Sequence, residues 1–354
     1  GITSYVRHLS GGLLGVTQPV RDYTLHGINM AYATNSAGKP TNAFKGKIDF
    51  QSSGSLVMGS TGNEAAYTVL NSVDDLLAIN DSTANFANGQ RYALGRDLDL
   101  GGIANWTPLG LIGGSTVSFD GVFNGLGHTV SNLTSSNNGL FAHVGRAQFD
   151  EGGASASDPT VAFGVVPEFA GVSNVGVVNV NIDCTADCAT GGSYSIGGLA
   201  GYAEGQMTNV FSTGKINARY TGSSSTQNSA GGLYGSFSGY ANNNYSTVNL
   251  TTSGFAYVGG LAGEGGSGYI GKSHASGDIG FDSLGRTKAY VGGFVGYSHG
   301  TTIIASSASG NVSGKGGYVG GFAGYVEMGT LISNSTATGN IYLNDSVYAR
   351  DDAA

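Results

Sequence analysis

A phrase of the form apolar–Gly–Gly–apolar–x–Gly occurs five times in the second half of the chain, and this repetition constrains the fold most. The phrases are IGGLAG (196–201), AGGLYG (230–235), VGGLAG (258–263), VGGFVG (291–296) and VGGFAG (319–324). Their first glycines, at positions 197, 231, 259, 292 and 320, lie 34, 28, 33 and 28 residues apart. Self-similarity with a period of about 20–50 residues is typical of solenoids, propellers and linear arrays.

A second phrase follows each of the first and keeps nearly the same step. It occurs as FSTGKI, YSTVNL, HASGDI, SASGNV and TATGNI. The last residues of these phrases are Ile216, Leu250, Ile279, Val312 and Ile341, which lie 34, 29, 33 and 29 residues apart. Counting back 34 residues from Ile216 reaches Ile182, so the repeats are expected to begin near residue 171.

Each repeat is too short to bury a core by itself, so the repeats must stack on one another. Stacking predicts two buried ladders, one formed by the second phrase and one by the apolar residue after each glycine pair. The ladder that follows the glycine pairs comprises Leu199, Leu233, Leu261, Phe294 and Phe322. The glycine pairs then mark corners where a side chain would collide with a neighbour. The sequence therefore predicts an all-β fold, a parallel β-solenoid.

The composition agrees with a turn-rich, close-packed β protein. Glycine accounts for 63 of the 354 residues, and only 11% of residues are charged, against roughly a quarter in ordinary soluble domains. The net charge of −8 and the lack of a basic cluster argue against nucleic-acid binding. No apolar run approaches the ~20 residues of a membrane span. Gly1 begins no signal peptide, so we expect a mature or excised segment.

The regions outside the repeats differ in pattern and predict four parts. Residues 1–66 carry weak alternation and are predicted to be N-terminal strands or first coils. Residues 67–170 predict a β-helical region with one short helix near residues 73–80, capped by Ser72, and a long loop at 146–170. Residues 171–345 form the repeat solenoid, and residues 346–354 form a tail.

The two cysteines, Cys184 and Cys188, lie four residues apart in DCTADC. A metal site requires more ligands, and a redox dithiol motif has two intervening residues instead of three. A small disulfide-closed loop is the favoured interpretation, and two buried free thiols are the alternative. A disulfide implies an oxidising compartment.

Tyrosines recur two positions before the glycine pairs, as Tyr257, Tyr290 and Tyr318. The first interpretation is aromatic stacking between successive coils. The second is a platform for sugar rings, because tyrosine combines an apolar face with a polar tip.

Candidates for catalysis are sparse. The six histidines show no metal-ligand spacing, and no G-x-S-x-G motif is present. The best candidates for paired carboxylates are Asp97 with Asp99 and Asp74 with Asp75. Asp97 and Asp99 alternate along a predicted strand, so both could face one side, as acid–base work or calcium binding requires. Turn and capping roles on a solvated face are the alternative. We therefore predict no catalytic residue and no cofactor, with calcium at Asp97 and Asp99 as a weak candidate.

The five glycine phrases resemble the GLUG motif of bacterial surface proteins. The stretch YTVLNSVDDLLAI…QRYALGRDLDL…WTPLG…FDGVFNGLGHTVSNL…GLFAHVG resembles the region before such motifs in large filamentous-haemagglutinin-like exoproteins, so the resemblance covers about residues 50–345. It implies export by a two-partner or autotransporter route through an outer-membrane transporter, and a right-handed parallel β-helix for adhesion or biofilm formation. GLUG repeats also accompany secreted immunoglobulin-cleaving metallopeptidases, but their HExxH signature is absent here. An amino-terminal secretion domain is also absent, so we expect an internal segment or a relative exported differently.

Three function classes follow. The first is a structural or adhesive shaft at the bacterial cell surface, binding a host or matrix glycan or protein receptor, or other copies of itself in a fibre. Loops 146–170 and 183–194 are its expected binding segments. The second is a carbohydrate-binding module that uses the tyrosine row. The third is a polysaccharide lyase or hydrolase, which requires an acid cluster in a cleft.

Overall fold

The structure, a computed structural model, describes residues 31–50, 55–58, 65–145, 171–185, 194–222, 227–284, 286 and 288–344. Within these residues the chain forms a parallel β-solenoid with one short α-helix, which confirms the predicted fold class. The predicted long loop at 146–170 and the tail at 346–354 lie outside the described residues. No helix in the described part of the chain has the length and apolar character needed to cross a membrane.

The strands are short and numerous. Up to residue 145 they are β1 Tyr32–Thr34, β2 Pro40–Phe44, β3 Ser55–Met58, β4 Ala65–Leu70, β5 Arg91–Leu94, β6 Leu98–Asp99, β7 Leu111–Ile112, β8 Ser115–Thr116, β9 Val122–Ser131, β10 Thr134–Ser135 and β11 Phe141–Val144. The next ten are β12 Gly171–Cys184, β13 Ser195–Gly197, β14 Ala200–Ala203, β15 Gln206–Thr208, β16 Phe211–Arg219, β17 Ser229–Gly231, β18 Tyr234–Phe237, β19 Tyr240–Asn242, β20 Tyr245–Ser253 and β21 Tyr257–Gly259. The remaining ones are β22 Ala262–Gly265, β23 Gly268–Gly271, β24 His274–Ala275, β25 Ile279–Asp282, β26 Tyr290–Gly292, β27 Val295–Ser298, β28 Thr301–Ile304, β29 Ser307–Ala308, β30 Val312–Lys315, β31 Tyr318–Gly320, β32 Ala323–Val326, β33 Leu331–Ser333, β34 Thr336–Ala337 and β35 Ile341–Leu343.

Equivalent strands of successive coils pair in parallel and form ladders along the solenoid axis. The first ladder runs β5–β9–β12–β16–β20–β25–β30–β35. The second runs β13–β17–β21–β26–β31, and the third runs β11–β14–β18–β22–β27–β32. A fourth, shorter side comprises β15–β19–β23–β28–β33. The repeat period is therefore the length of one coil.

Both predicted apolar ladders are confirmed as buried up to the last described coil, where Ile341 is exposed. In the first ladder the paired residues are Ile182, Ile216, Leu250, Ile279, Val312 and Ile341. At the glycine phrases, the backbone N–H of Leu199, Leu233, Leu261 and Phe294 each donates to the carbonyl of the next residue in the predicted series. The four side chains are fully buried, and Phe322 in the last coil is partly buried.

The glycine pairs lie at the corner between the second and third ladders. A Cβ atom on Gly259 would lie 1.9 Å from the carbonyl oxygen of Ala262 and 2.8 Å from the backbone nitrogen of Gly296 in the next coil. The first glycines of the other four pairs would meet the equivalent carbonyl at 1.8–2.3 Å. The predicted collision with the neighbouring coil is therefore confirmed. A second collision, with the carbonyl three residues further along the same coil, adds to it.

A second corner, before the first ladder, requires a left-handed backbone. The residues there are Asn174, Asn209, Asn243, Lys272, Ala305 and Asn334, with φ between 49° and 57°. Asparagine tolerates this conformation better than most residues. The asparagine side chains also bond from coil to coil, since the amide of Asn209 donates to Asn174 at 2.9 Å and that of Asn243 donates to Asn209 at 2.6 Å. These side-chain hydrogen bonds hold the corners of three successive coils in line.

The first coil is largely helical. Helix α1 spans Val73–Leu77, begins at Ser72 with a capping box to Asp75, and continues into 3₁₀ helices at Ala78–Asp81 and Thr83–Phe86. Leu76, Ile79 and Phe86 are buried in the main core. These helices lie between β4 and β5, which pair with each other, so they form the remaining sides of this coil. The helix predicted near residues 73–80 is thus confirmed.

The described N-terminal strands pair antiparallel and do not extend the parallel stack. β1 pairs with β2, and β3 pairs with β4. The ring of Tyr32 contacts Tyr245 at 4.5 Å, and that of Phe44 contacts Phe211 at 5.0 Å. Residues 31–50 therefore lie against the outside of the first ladder, where Phe211 and Tyr245 are completely buried.

Candidate functional site

Five tyrosines on two adjacent ladders form the main aromatic surface of the described chain. Tyr257, Tyr290 and Tyr318 are paired neighbours on the second ladder, as predicted from their spacing. Tyr297 and Tyr325 are paired on the third ladder, next to Glu264. We refer to these five residues as the tyrosine cluster.

The rings of the tyrosine cluster interleave between the two ladders. Ring centroids lie 4.7 Å apart for Tyr257 and Tyr297, 5.8 Å for Tyr297 and Tyr290, and 4.7 Å for Tyr290 and Tyr325, with interplanar angles of 19–28°. Tyr318 contacts Tyr290 at 5.4 Å. Because their faces contact other rings, most of these tyrosines join successive coils. Tyr257 is only 6% exposed, whereas Tyr318 and Tyr325 are 46% and 43% exposed.

Two carboxylates, those of Glu264 and Glu327, lie close to the tyrosine cluster. The hydroxyl of Tyr297 donates to Glu327, and Nε2 of His299 lies 3.4 Å from Oε1 of Glu264. Burial raises the pKa of Tyr257 to about 12, and the charge of Glu264 adds to this effect. Burial also raises the pKa of Tyr297, with further contributions from Glu327. The hydroxyls of Tyr257 and Tyr297 therefore stay protonated at neutral pH.

This arrangement gives the cluster two chemical properties. Its buried part stabilises the stack of coils, which matches the first interpretation of the tyrosine row. Its exposed part, at Tyr318 and Tyr325, leaves ring surface accessible, which a sugar ring or another aromatic group can contact. Glycan stacking at Tyr257, Tyr290 and Tyr318 stays a prediction, and Tyr318 is the one of these three that the described structure leaves exposed.

Asp97 and Asp99 lie at β6, where Leu98 between them points into the core. Oδ2 of Asp97 accepts from Nζ of Lys47 at 2.9 Å, and its Oδ1 accepts from the N–H of Thr129 at 2.9 Å. Asp99 accepts from the side-chain amide of Asn132 at 2.8 Å. Both carboxylates thus hold neighbouring backbone segments.

His128 connects Asp97 to the N-terminal segment. This side chain is fully buried, with Nδ1 3.2 Å from Oδ1 of Asp97 and Nε2 2.6 Å from the carbonyl oxygen of Ile48. Burial would raise the pKa of Asp97, but hydrogen bonds from His128, Lys47 and Thr129 outweigh it and hold that pKa well below its usual range. The hydrogen bonds of Asp97 and His128 therefore hold residues 47–49 against the solenoid.

We expect Asp97→Asn to lower the free energy of unfolding by about 1 kcal/mol at neutral pH, because water screens this half-exposed carboxylate. Since the folded-state pKa is depressed, the stabilisation is fully present above the unfolded-state value of about 3.9 and is lost as the pH falls towards the folded-state pKa. Urea denaturation at neutral and at acid pH measures the difference, with the exposed Asp81→Asn as control. An equal difference at both pH values would contradict this role.

Among the described residues, no three His, Cys, Asp or Glu side chains come together in a way that could hold a metal ion. Calcium binding at Asp97 and Asp99 stays a prediction, and the structure gives these two carboxylates the protein partners described above.

Cys184 ends the long strand β12 and is disulfide-bonded. Cys188 lies outside the described residues, so the pairing of the two cysteines stays a prediction. Cys184 is buried and pairs with Ala218 of the next coil in the first ladder. The disulfide bond is therefore attached to the solenoid through a buried residue at the end of β12.

We expect mass spectrometry of the non-reduced protein to show two hydrogens fewer than the dithiol form. Reduction should cost less than about 3 kcal/mol of stability, because the closed loop is short. The control is the double variant Cys184→Ala with Cys188→Ala, whose stability should not change on addition of reductant. Alanine should fit at position 184, since Ala218 is the paired residue in the next coil. Two alkylatable thiols in protein from its native compartment would contradict the pairing.

Comparison with known families confirms the GLUG motif in this chain. A model described as "The GLUG motif" matches residues 192–217, 289–313 and 315–342, which contain three of the five glycine phrases. No curated protein matches the chain.

The solved structures that match this chain include two that share its fold. One is described as a "putative immunoglobulin A1 protease from Bacteroides ovatus"; it has a TM-score of 0.50 and 18% identity, and the alignment covers 79% of this chain and 84% of that one. The other, described as "IgA1 Protease", has a TM-score of 0.50 and 16% identity, with 82% and 22% coverage, so this chain spans about a fifth of it. Neither description is of a filamentous-haemagglutinin adhesin, so that part of the resemblance stays a prediction.

Proposed function

We propose that the chain is a structural and adhesive segment of a secreted bacterial surface protein, and that it is not an enzyme. The observation that carries this proposal is the continuous coil-on-coil pairing of the first ladder from β5 to β35. Such a stack is rigid along its axis and presents extended outer surfaces. Export to the cell surface is supported by the GLUG motifs.

The non-enzymatic part of the proposal is supported by the partners of Asp97 and Asp99. Each of these carboxylates accepts a hydrogen bond from a backbone N–H and another from a neighbouring side chain, so both hold the fold together. The second candidate function is a carbohydrate-binding module. It is supported by the two exposed tyrosines, Tyr318 and Tyr325, whose rings a sugar could contact.

An array of glycans and host matrix proteins tests both candidates. The purified chain is expected to bind surface-attached ligands without altering them. The same ligands in solution, together with polysaccharides and immunoglobulin A1, are assayed for cleavage. Turnover that is abolished by Asp97→Asn or Asp99→Asn would overturn the non-enzymatic proposal, and failure to bind any surface would overturn the adhesive one.

Other copies of the chain are a proposed partner, because the last described coil exposes apolar side chains. Leu331 is 54% exposed, and Ile332 and Ile341 are also exposed. In the preceding coil the residues paired with Ile332 and Ile341 are Ile303 and Val312, which are buried. A further coil of the same shape would bury them in the same way, whether it follows in a longer chain or belongs to another copy.

We therefore expect the isolated chain to self-associate, and Ile341→Lys to shift it towards monomer because a buried unpaired charge is costly. Light scattering over a range of protein concentrations measures this shift. The exposed Leu284→Lys is the matched control. A wild-type chain that is monomeric at every concentration would contradict self-association through this coil.

A further inference from the structure

An open groove of about 420 Å³ crosses the outer surface of the first ladder near the C-terminal ends of its strands. It reaches from Thr185, just after β12, to Asn344, just after β35. The residues between come from β16, β20, β25 and β30. The groove therefore follows the solenoid axis across successive coils and lies apart from the tyrosine cluster.

Small side chains create the depression. Thr251, Gly280 and Ser313 are paired neighbours in one outward row. A Cβ atom on Gly280 would meet nothing closer than the carbonyl oxygen of Leu250 at 3.8 Å, so the space above this glycine is open. The parallel row two residues further along each strand contains Arg219, Ser253 and Asp282. Hydroxyls and charged groups of these two rows therefore line the groove together with the apolar side chains of Ala218 and Phe281.

The spacing of these groups suits a linear polymer. Neighbouring strands lie about 4.8 Å apart, so the five intervals from β12 to β35 span about 24 Å. The groups differ from coil to coil, but each of the two rows offers polar side chains along this length. A peptide added as a strand would require an unpaired strand edge. The strands β16, β20, β25 and β30 each pair on both sides, so the groove offers no such edge.

The charges in the groove indicate an acidic ligand. The side chain of Arg219 is exposed and makes no hydrogen bond or ion pair with another described residue, in a chain of net charge −8. The carboxylate of Asp282 accepts from the N–H of Leu284 at 2.8 Å, and its neighbour in the next coil is Lys315, so this row carries a net positive charge. A guanidinium binds a carboxylate through two parallel hydrogen bonds.

We propose that this groove binds a linear acidic polysaccharide. The hydroxyls of Thr251, Ser253 and Ser313 bond to its sugar hydroxyls, and Arg219 binds the carboxylate of a uronic acid unit. This inference rests on the proposed adhesive function and assigns it a ligand class. Reversible binding is the whole of the proposed activity, and no bond in the polymer is made or broken.

Isothermal titration with oligogalacturonate, alginate and hyaluronan oligosaccharides tests the proposal, each beside its methyl-esterified neutral form. We expect at least one acidic oligosaccharide to bind more tightly than its ester, and less tightly at high salt. Arg219→Gln should weaken binding of the acidic form by at least about tenfold and leave the ester unchanged. Gly280→Leu, which fills the groove, should abolish binding of both forms.

Two controls separate binding from folding. Lys272→Gln removes a charge from an exposed residue at the left-handed corner and should leave binding unchanged. Thermal unfolding of every variant should match the parent protein. No binding of any acidic oligosaccharide, or binding unaffected by both groove substitutions, would overturn the proposal. If both groove variants still adhered to the glycan and matrix array, the adhesive function would stand and this groove would be excluded as its site.

Discussion

Replacing Gly259 with alanine is expected to disrupt the coil that contains it, with a loss of about 3 kcal/mol or more in the free energy of unfolding. The added methyl group would lie 1.9 Å from the carbonyl oxygen of Ala262. That oxygen belongs to the backbone of a packed corner, so it cannot rotate away as a side chain would. The backbone nitrogen of Gly296, 2.8 Å away in the next coil, blocks the alternative displacement.

Urea denaturation followed by circular dichroism measures the loss, and Gly280→Ala provides the matched control. At Gly280 the nearest atom to an added Cβ is 3.8 Å away, which is ordinary contact, so we expect a change within about 0.5 kcal/mol. A Gly259→Ala protein as stable as the parent would show that the corner geometry described here is wrong.

The second large effect is expected for Leu261→Ala, which should cost about 2–5 kcal/mol. Leu261 is completely buried in the ladder between Leu233 and Phe294. Truncation removes apolar contacts to both neighbouring coils and leaves a cavity, because the backbone ladder holds the coils at a fixed separation.

Leu284→Ala is the control for this substitution, because Leu284 is a leucine of the same solenoid that is 48% exposed. We expect it to change stability by no more than about 0.5 kcal/mol. A loss below about 0.5 kcal/mol at Leu261 would contradict its burial and, with it, the stacking of the glycine phrases. The two substitutions at Gly259 and Leu261 test different physical requirements of one phrase, close backbone approach and side-chain burial.

The sequence by itself determined the repeating unit and both buried ladders. A stacked solenoid places each residue one coil away from its equivalent, so two landmarks with the same step define the strand register. The pairs from Ile182 to Ile341 follow that register without exception. The helix at Val73–Leu77 could also be predicted, since Ser72 and Asp75 cap it locally.

Only the tertiary structure decided how the surfaces are used. Tyr297 and Tyr325 lie on a different ladder from Tyr257 and Tyr290, yet folding interleaves their rings, because the glycine corner brings the second ladder of one coil against the third ladder of the next. The contact of Asp97 with Lys47 joins residues 50 positions apart, and no local pattern specifies it. The groove on the first ladder is formed by small residues such as Thr251, Gly280 and Ser313. These residues lie on different coils and form one depression only when the coils are stacked. Periodicity encodes which equivalent residues pair, whereas contacts between different sides of the coil depend on corner geometry, which is a property of the folded chain.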